Sequence, residues 1–274
     1  MRVILILILC FGLFSGKLQA QNIDFDKPRP IEALDTVFIG KMTWMEVRDA
    51  IKAGKKTALI PTGGVEDNGP YLALDKHNII LEVVTERLAR RLGNTLIAPI
   101  VGFVPEGDFE PKSGHMRYPG TIGVSQETFD ALLTDIALSL KASGFHNIIL
   151  LGDSGGNRIG MERVTKALNK RWEDEEIRAH YIPEYYDNPL WGKWLDDRGV
   201  AFESEGIHDD FRHSSIMMLA DPESVRIKQR KKAGLTSING QDLLPIEETL
   251  KIASDLVDFQ VDITAKAIKK SLEN

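Results

Sequence analysis

Three short stretches of the 274-residue chain gather side chains able to hold a metal ion, move a proton or attack a carbonyl. Glu66-Asp67-Asn68 and, a little later, His77 lie around Gly63, Gly64 and Gly69, whose freedom to turn tightly can present carboxylate and imidazole to one point. That is the chemistry of a hard metal site; the plainer alternative is a solvated turn in which Asp75 or Asn78 caps the next helix. His208-Asp209-Asp210-Phe211-Arg212-His213 packs two imidazoles and two carboxylates beside the apolar Ile216-Met217-Met218-Leu219. Such a cluster suits a divalent metal or general acid–base work. Gly152-Asp153-Ser154-Gly155-Gly156 fits the G-x-S-x-G strand-to-helix elbow that carries the nucleophile of α/β-hydrolases. With His208 or His213 downstream and Asp187 or Asp196 between, the Ser, Asp, His order is available. The same turn can instead offer backbone N–H groups to an oxyanion at a helix N-terminus. His115, His146 and His180 carry no such neighbours and read as structural.

The elements that must position these residues alternate between helical stretches and short β-rich runs. Thr43 caps a helix over 44–53, and helices follow over 78–92, 126–143, 157–172 and 246–271. Strands are predicted at 57–60, 95–98, 147–151 and 177–182. The pattern specifies an α/β fold with a mostly parallel central sheet. In such sheets the loops leaving the carboxyl ends of the strands meet on one rim, where ligands bind. The three chemistry-bearing stretches follow the first, third and fourth strands.

Composition narrows the function. Arg2, the apolar run Val3 to Phe14 and the small-residue segment ending Leu18-Gln19-Ala20 read as a secretory signal, leaving a lead-in over 21–39 and one domain over 40–274. The apolar run is too short to span a bilayer of ~30 Å. The protein is therefore expected to be exported, periplasmic or secreted, with no membrane association after cleavage. Loss of Arg2 and Lys17 moves the net charge from −6 to −8, which disfavours a nucleic-acid partner. Cys10, the single cysteine, leaves with the signal, so the mature chain offers no thiolate nucleophile and any metal ligands are His, Asp and Glu.

Four segments in order and spacing resemble the creatininase (creatinine amidohydrolase) family: Leu59 to Leu72, His115 to Ile122, Leu150 to Asn157, and Gly206-Ile207-His208 with Ser214-Ser215. The resemblance implies a three-layer α/β/α sandwich, a homo-oligomer and metal-dependent hydrolysis of a carbon–nitrogen bond. It also implies roles: Glu66 keeps a metal-ligand position and His208 the catalytic histidine. Asn68 and Ser154 stand where ligand histidines are expected, His77 where a bridging aspartate is expected, and His213 where a glutamate is expected.

The competent donors that remain point to a rearranged site for one divalent ion rather than two, zinc first and manganese second, with Glu66, His77, Asp153 and Asp210 as ligands. His208 then protonates the leaving nitrogen, Ser154 and Asn68 stabilise the oxyanion, and His213 completes the catalytic set. The substrate is a small amide, a cyclic one foremost, and creatinine itself is disfavoured by the altered ligands. A metal-free serine hydrolase built on Ser154 and a non-catalytic binder of a small ligand are the alternatives.

Overall fold

Four short, almost wholly buried runs build one parallel sheet: β1 (Thr57–Thr62), β2 (Thr95–Ile97), β3 (Asn147–Gly152) and β4 (Arg178–Tyr181), in the order β2-β1-β3-β4. The computed structural model describes residues 24–186 and 189–273; residues 1–20, read above as a signal, and Asp187 lie outside the described residues. The helices are α1 (Trp44–Lys52), α2 (Lys76–Leu92), α3 (Gln126–Ala142), α4 (Arg158–Arg171), α5 (Leu190–Asp196), α6 (Phe211–Ala220), α7 (Ile227–Ala233) and α8 (Ile246–Leu272). A small antiparallel pair, β5 (Ser237–Ile238) and β6 (Gln241–Asp242), completes the set. No helix among the described residues is long and apolar enough to cross a membrane.

Successive strand residues point to opposite faces, and here each face meets its own helical layer. Leu59, Ile97, Ile149 and Leu151 join one core with Ile80, Val84 and Leu88 of α2, Ile216 and Met217 of α6, and Leu256 and Val261 of α8. Ala58, Ile60, Leu96, Ile148 and Leu150 join the other with Phe129 and Leu133 of α3 and Met161 and Val164 of α4. This is the three-layer α/β/α sandwich expected from the sequence.

Among the element boundaries that differ from the sequence reading, two matter for the rim. β1 continues past Ile60 because Pro61 lacks only its N–H; its carbonyl still accepts from Val101 N at 2.9 Å. α2 begins at Lys76 rather than Asn78, so Lys76 and His77 occupy its first turn and are buried. The register sets Thr62 of β1 beside Gly152 of β3, bringing the loops after the two central strands together.

Asn157 locks that junction. Fully buried, it donates from Nδ2 to the carbonyls of Thr62 and Gly63 at 3.2 and 2.9 Å and lies 3.0 Å from Thr62 Oγ1. Replacing it strips the Gly63 carbonyl of this donor and leaves the Thr62 carbonyl with Asp153 N alone at 3.0 Å, a buried unpaired group being worth roughly 1–3 kcal/mol. Asn157→Ala is expected to lose about 3 kcal/mol, seen in calorimetry as a Tm fall of roughly 6–12 °C. A change within 1 °C would show that the junction does not depend on this amide.

Candidate active site

A cavity of about 720 Å³ opens at the carboxyl ends of β1 and β3. At its floor sits the carboxylate of Glu66, 2% exposed, on the loop after β1 and held by Glu66 N donating to Leu74 O at 3.2 Å. A buried carboxylate needs compensation on every lone pair. Glu66 Oε1 receives His77 Nε2 at 2.8 Å, His208 Nδ1 at 3.1 Å and the fully buried Lys76 Nζ at 3.2 Å, while Oε2 faces His115 Nε2 at 3.5 Å. Four side chains from three segments thus meet on one carboxylate.

Three of the imidazoles are each steered by a carboxylate. His77 Nδ1 meets Asp153 Oδ2 at 2.7 Å, His115 Nδ1 meets Asp67 Oδ1 at 2.7 Å, and His213 Nδ1 meets Asp210 Oδ2 at 2.6 Å. The consequences differ. His77 lies between two carboxylates, so both ring nitrogens donate and neither keeps a lone pair for a metal. Asp67 takes the Nδ1 proton of His115 and leaves its Nε2 lone pair towards Glu66, the second-sphere arrangement that prepares a histidine ligand. His213 Nε2 accepts from Arg212 Nη1 at 2.9 Å; an arginine can only donate, so this imidazole is neutral.

The electrostatics agree with that geometry. Burial alone would raise the Glu66 carboxyl, but hydrogen bonds from His208 and His77 and the charges of His77 and Lys76 hold it far below the usual carboxylate range. Burial and Lys76 press His77 downward, and its bonds to Asp153 and Glu66 outweigh them, so it stays cationic more readily than a free histidine. Burial pushes His213 down to about 4 despite Asp210. For Asp210 burial works upward, yet the charge and hydrogen bonds of His213 hold it at about 2. Burial, then the charge of Glu66, push Glu106 up to about 9; this pocket-lining carboxyl leaves Oε1 without a partner.

The sequence-predicted residues divide accordingly. Glu66, His77 and His208 do share one centre. Asp153 faces His77, and Asp210 caps α6, accepting from His213 N at 2.8 Å. Asn68 spends its Nδ2 on the carbonyls of Glu66 and Ala73, at 2.9 and 3.2 Å, and its Oδ1 lies 3.3 Å from His208 Nδ1, so it shapes the loop and steadies a histidine. Ser154 lines the pocket, but no imidazole among the described residues is hydrogen-bonded to its hydroxyl; Asp196 is exposed on α5. A serine-based triad is therefore not assembled by the residues described. His208 itself adopts φ 60°, a left-handed conformation rare outside glycine, which marks a constrained backbone at the rim.

His115, Lys76 and Glu106 escaped the sequence reading. The only hint for His115 was its place in a segment carrying the family resemblance, and the sequence analysis did not single out Lys76. Among the described residues Glu66, His115 and His208 each offer a ligand atom within 4.8 Å of one another, the one group that could hold a metal ion. Two imidazoles and a carboxylate are a common ligand set for catalytic zinc.

The family model for creatinine amidohydrolase matches residues 40–258. The chain belongs to the creatininase family. It is 25% identical over 218 residues to the creatinine amidohydrolase of Pseudomonas putida, covering 77% of this chain and 82% of that one. It is 24% identical over 189 residues to the 3-dehydro-scyllo-inosose hydrolase of Thermotoga maritima, covering 68% of this chain and 57% of the relative. A solved creatininase described with Mn shares the fold at a TM-score of 0.62 and 16% identity, over 86% of this chain and 97% of that one. In this chain the protons of His77 and the ammonium of Lys76 fill the α2 side of Glu66. The residues present fit one divalent ion at Glu66, His115 and His208, and do not fit a second ion bridged through position 77.

The depressed His213 makes acid destabilising. An unfolded histidine takes up its proton near pH 6.5 and the folded one only near 4, so between these values the unfolded state binds more protons and stability falls with pH. From pH 7 to 5 this removes about 2 kcal/mol. His77, shifted upward, contributes with the opposite sign. The clean measurement is therefore a difference: in denaturant unfolding at pH 7 and 5, His213→Gln should lose about 2 kcal/mol less than the wild type. Identical pH dependence in the two proteins would contradict the assignment.

Proposed function

We propose that the chain hydrolyses the carbon–nitrogen bond of a small amide, a cyclic one foremost, using one divalent ion held by Glu66, His115 and His208. The observation that carries this reading is the convergence of those three side chains at the floor of the cavity. When bound, such an ion polarises a carbonyl and lowers the pKa of a water towards neutrality. Zinc and manganese both suit the donor set; the similar solved structures include a creatininase with Mn.

The chain's own residues supply the rest. Asp67 fixes the tautomer and direction of His115, and Asn68 together with Glu66 steadies His208 through Nδ1. Ser154, Gly155 and Gly156 line the cavity where the chain turns into α4, and their amides donate to no protein acceptor among the described residues. They are donors in place for an oxyanion developing on the substrate. With His208 among the ligands, the proton for the leaving nitrogen is assigned to Glu106, which faces the same cavity with Oε1 unpaired. Tyr186 and Trp191 wall the pocket and give it a flat, apolar side. Export and a homo-oligomer, inferred from the sequence, belong to the same proposal.

Activity on a panel of small cyclic and open-chain amides should vanish on chelation and return with Zn²⁺ or Mn²⁺, and Asp67→Asn should weaken metal affinity by roughly 10- to 100-fold. Turnover that survives exhaustive chelation, or a fluorophosphonate label on Ser154, would overturn the metal reading in favour of a serine hydrolase.

A further inference from the structure

Lys76 has no place in the ligand triad, yet it is among the most deeply buried side chains in the protein. Its relative exposure is 0%, it lines the catalytic cavity, and its ammonium donates to Glu66 Oε1 at 3.2 Å. Lysine is almost never fully buried unless paired, because taking an ammonium out of water is expensive and one ion pair repays it only with good geometry. Burial lowers the Lys76 pKa from its ordinary value, and the charges of Glu66, Asp153 and Asp210 oppose that shift. The floor is therefore more acidic than one ion pair explains, and Lys76 is placed within it by its position in the first turn of α2.

We propose that Lys76 is a tethered cation that occupies the α2 side of Glu66 and restricts the cavity to a single exchangeable divalent ion. An ammonium tethered 3.2 Å from Glu66 Oε1 compensates that carboxylate from within the chain and repels a second cation from the same oxygen. It also fixes the Glu66 carboxylate, leaving Oε2 turned to His115 and the ligand triad. Lys76 is thus a positioning residue that acts through Glu66. The adjacent His77, with both nitrogens donating to carboxylates, adds a second proton-bearing donor on the same side and reinforces the effect. The inference rests on the one-ion reading above and specifies how the fold enforces it.

The test is the number of Mn²⁺ ions bound per chain after equilibrium dialysis of the purified full chain against Mn²⁺, measured by elemental analysis. The wild type and Lys76→Arg should hold one ion, and Lys76→Ala should hold two, the second ion settling among the carboxylates that lost their ammonium. One ion in both wild type and Lys76→Ala overturns the role of Lys76 while leaving the metal reading intact. Two ions in the wild type also overturn it. No bound ion in the wild type withdraws the metal reading and this inference together. Should Lys76→Ala unfold in metal-free buffer, saturating Mn²⁺ is expected to restore its fold, since the ion replaces the lost charge. A variant that stays unfolded in Mn²⁺ overturns the proposal.

Discussion

The site depends on one buried carboxylate. Glu66 is fixed by its loop at a point that water barely reaches, and an uncompensated charge there would cost several kcal/mol. Its compensation comes from donors on other segments: Lys76 and His77 from the start of α2 and His208 from the loop before α6, while His115, from the long connection after β2, turns Nε2 towards Oε2. Each of these segments is held in place partly because its donor must reach Glu66. The same requirement that stabilises the floor therefore assembles the candidate active site.

The sandwich supplies the rim on which this can happen. Parallel pairing of β1 with β3 puts Thr62 beside Gly152, so the two loops that carry Glu66 and Ser154 leave the sheet as neighbours. Asn157 welds them by hydrogen bonds across the gap. Helices α2 and α6 pack on one face of the sheet and point their first turns at the rim, which delivers Lys76, His77, Arg212 and His213. Carboxylates then set the protonation of the imidazoles. Asp153 and Glu66 keep His77 doubly protonated, Asp67 frees one nitrogen of His115, and Asp210 with Arg212 keeps His213 neutral. Identical side chains thus acquire three different chemistries from their partners.

The fold was legible from the amino-acid sequence because its signals are local. Hydrophobic runs bounded by glycines mark the strands, capping residues mark the helices, and their alternation implies a parallel sheet with helices on both faces. Errors fell at boundaries such as Pro61 and Lys76, where tertiary contacts override local rules: a ladder carbonyl keeps the strand going, and a buried salt bridge extends the helix. Family membership was legible too, since short rim segments keep their order and spacing.

What the sequence by itself determined, then, is the sandwich, its rim and the stretches bearing carboxylate and imidazole. Only the tertiary structure decided how those groups divide their work. A histidine's role depends on which nitrogen keeps a lone pair, and that is set by partners such as Asp67, which lies 48 residues before His115. A lysine's role depends on whether water reaches it. Nothing in the identity of Lys76 distinguishes a solvated ammonium from one sealed beneath the active-site floor; burial against Glu66 makes that distinction, and burial is a property of the packed layers.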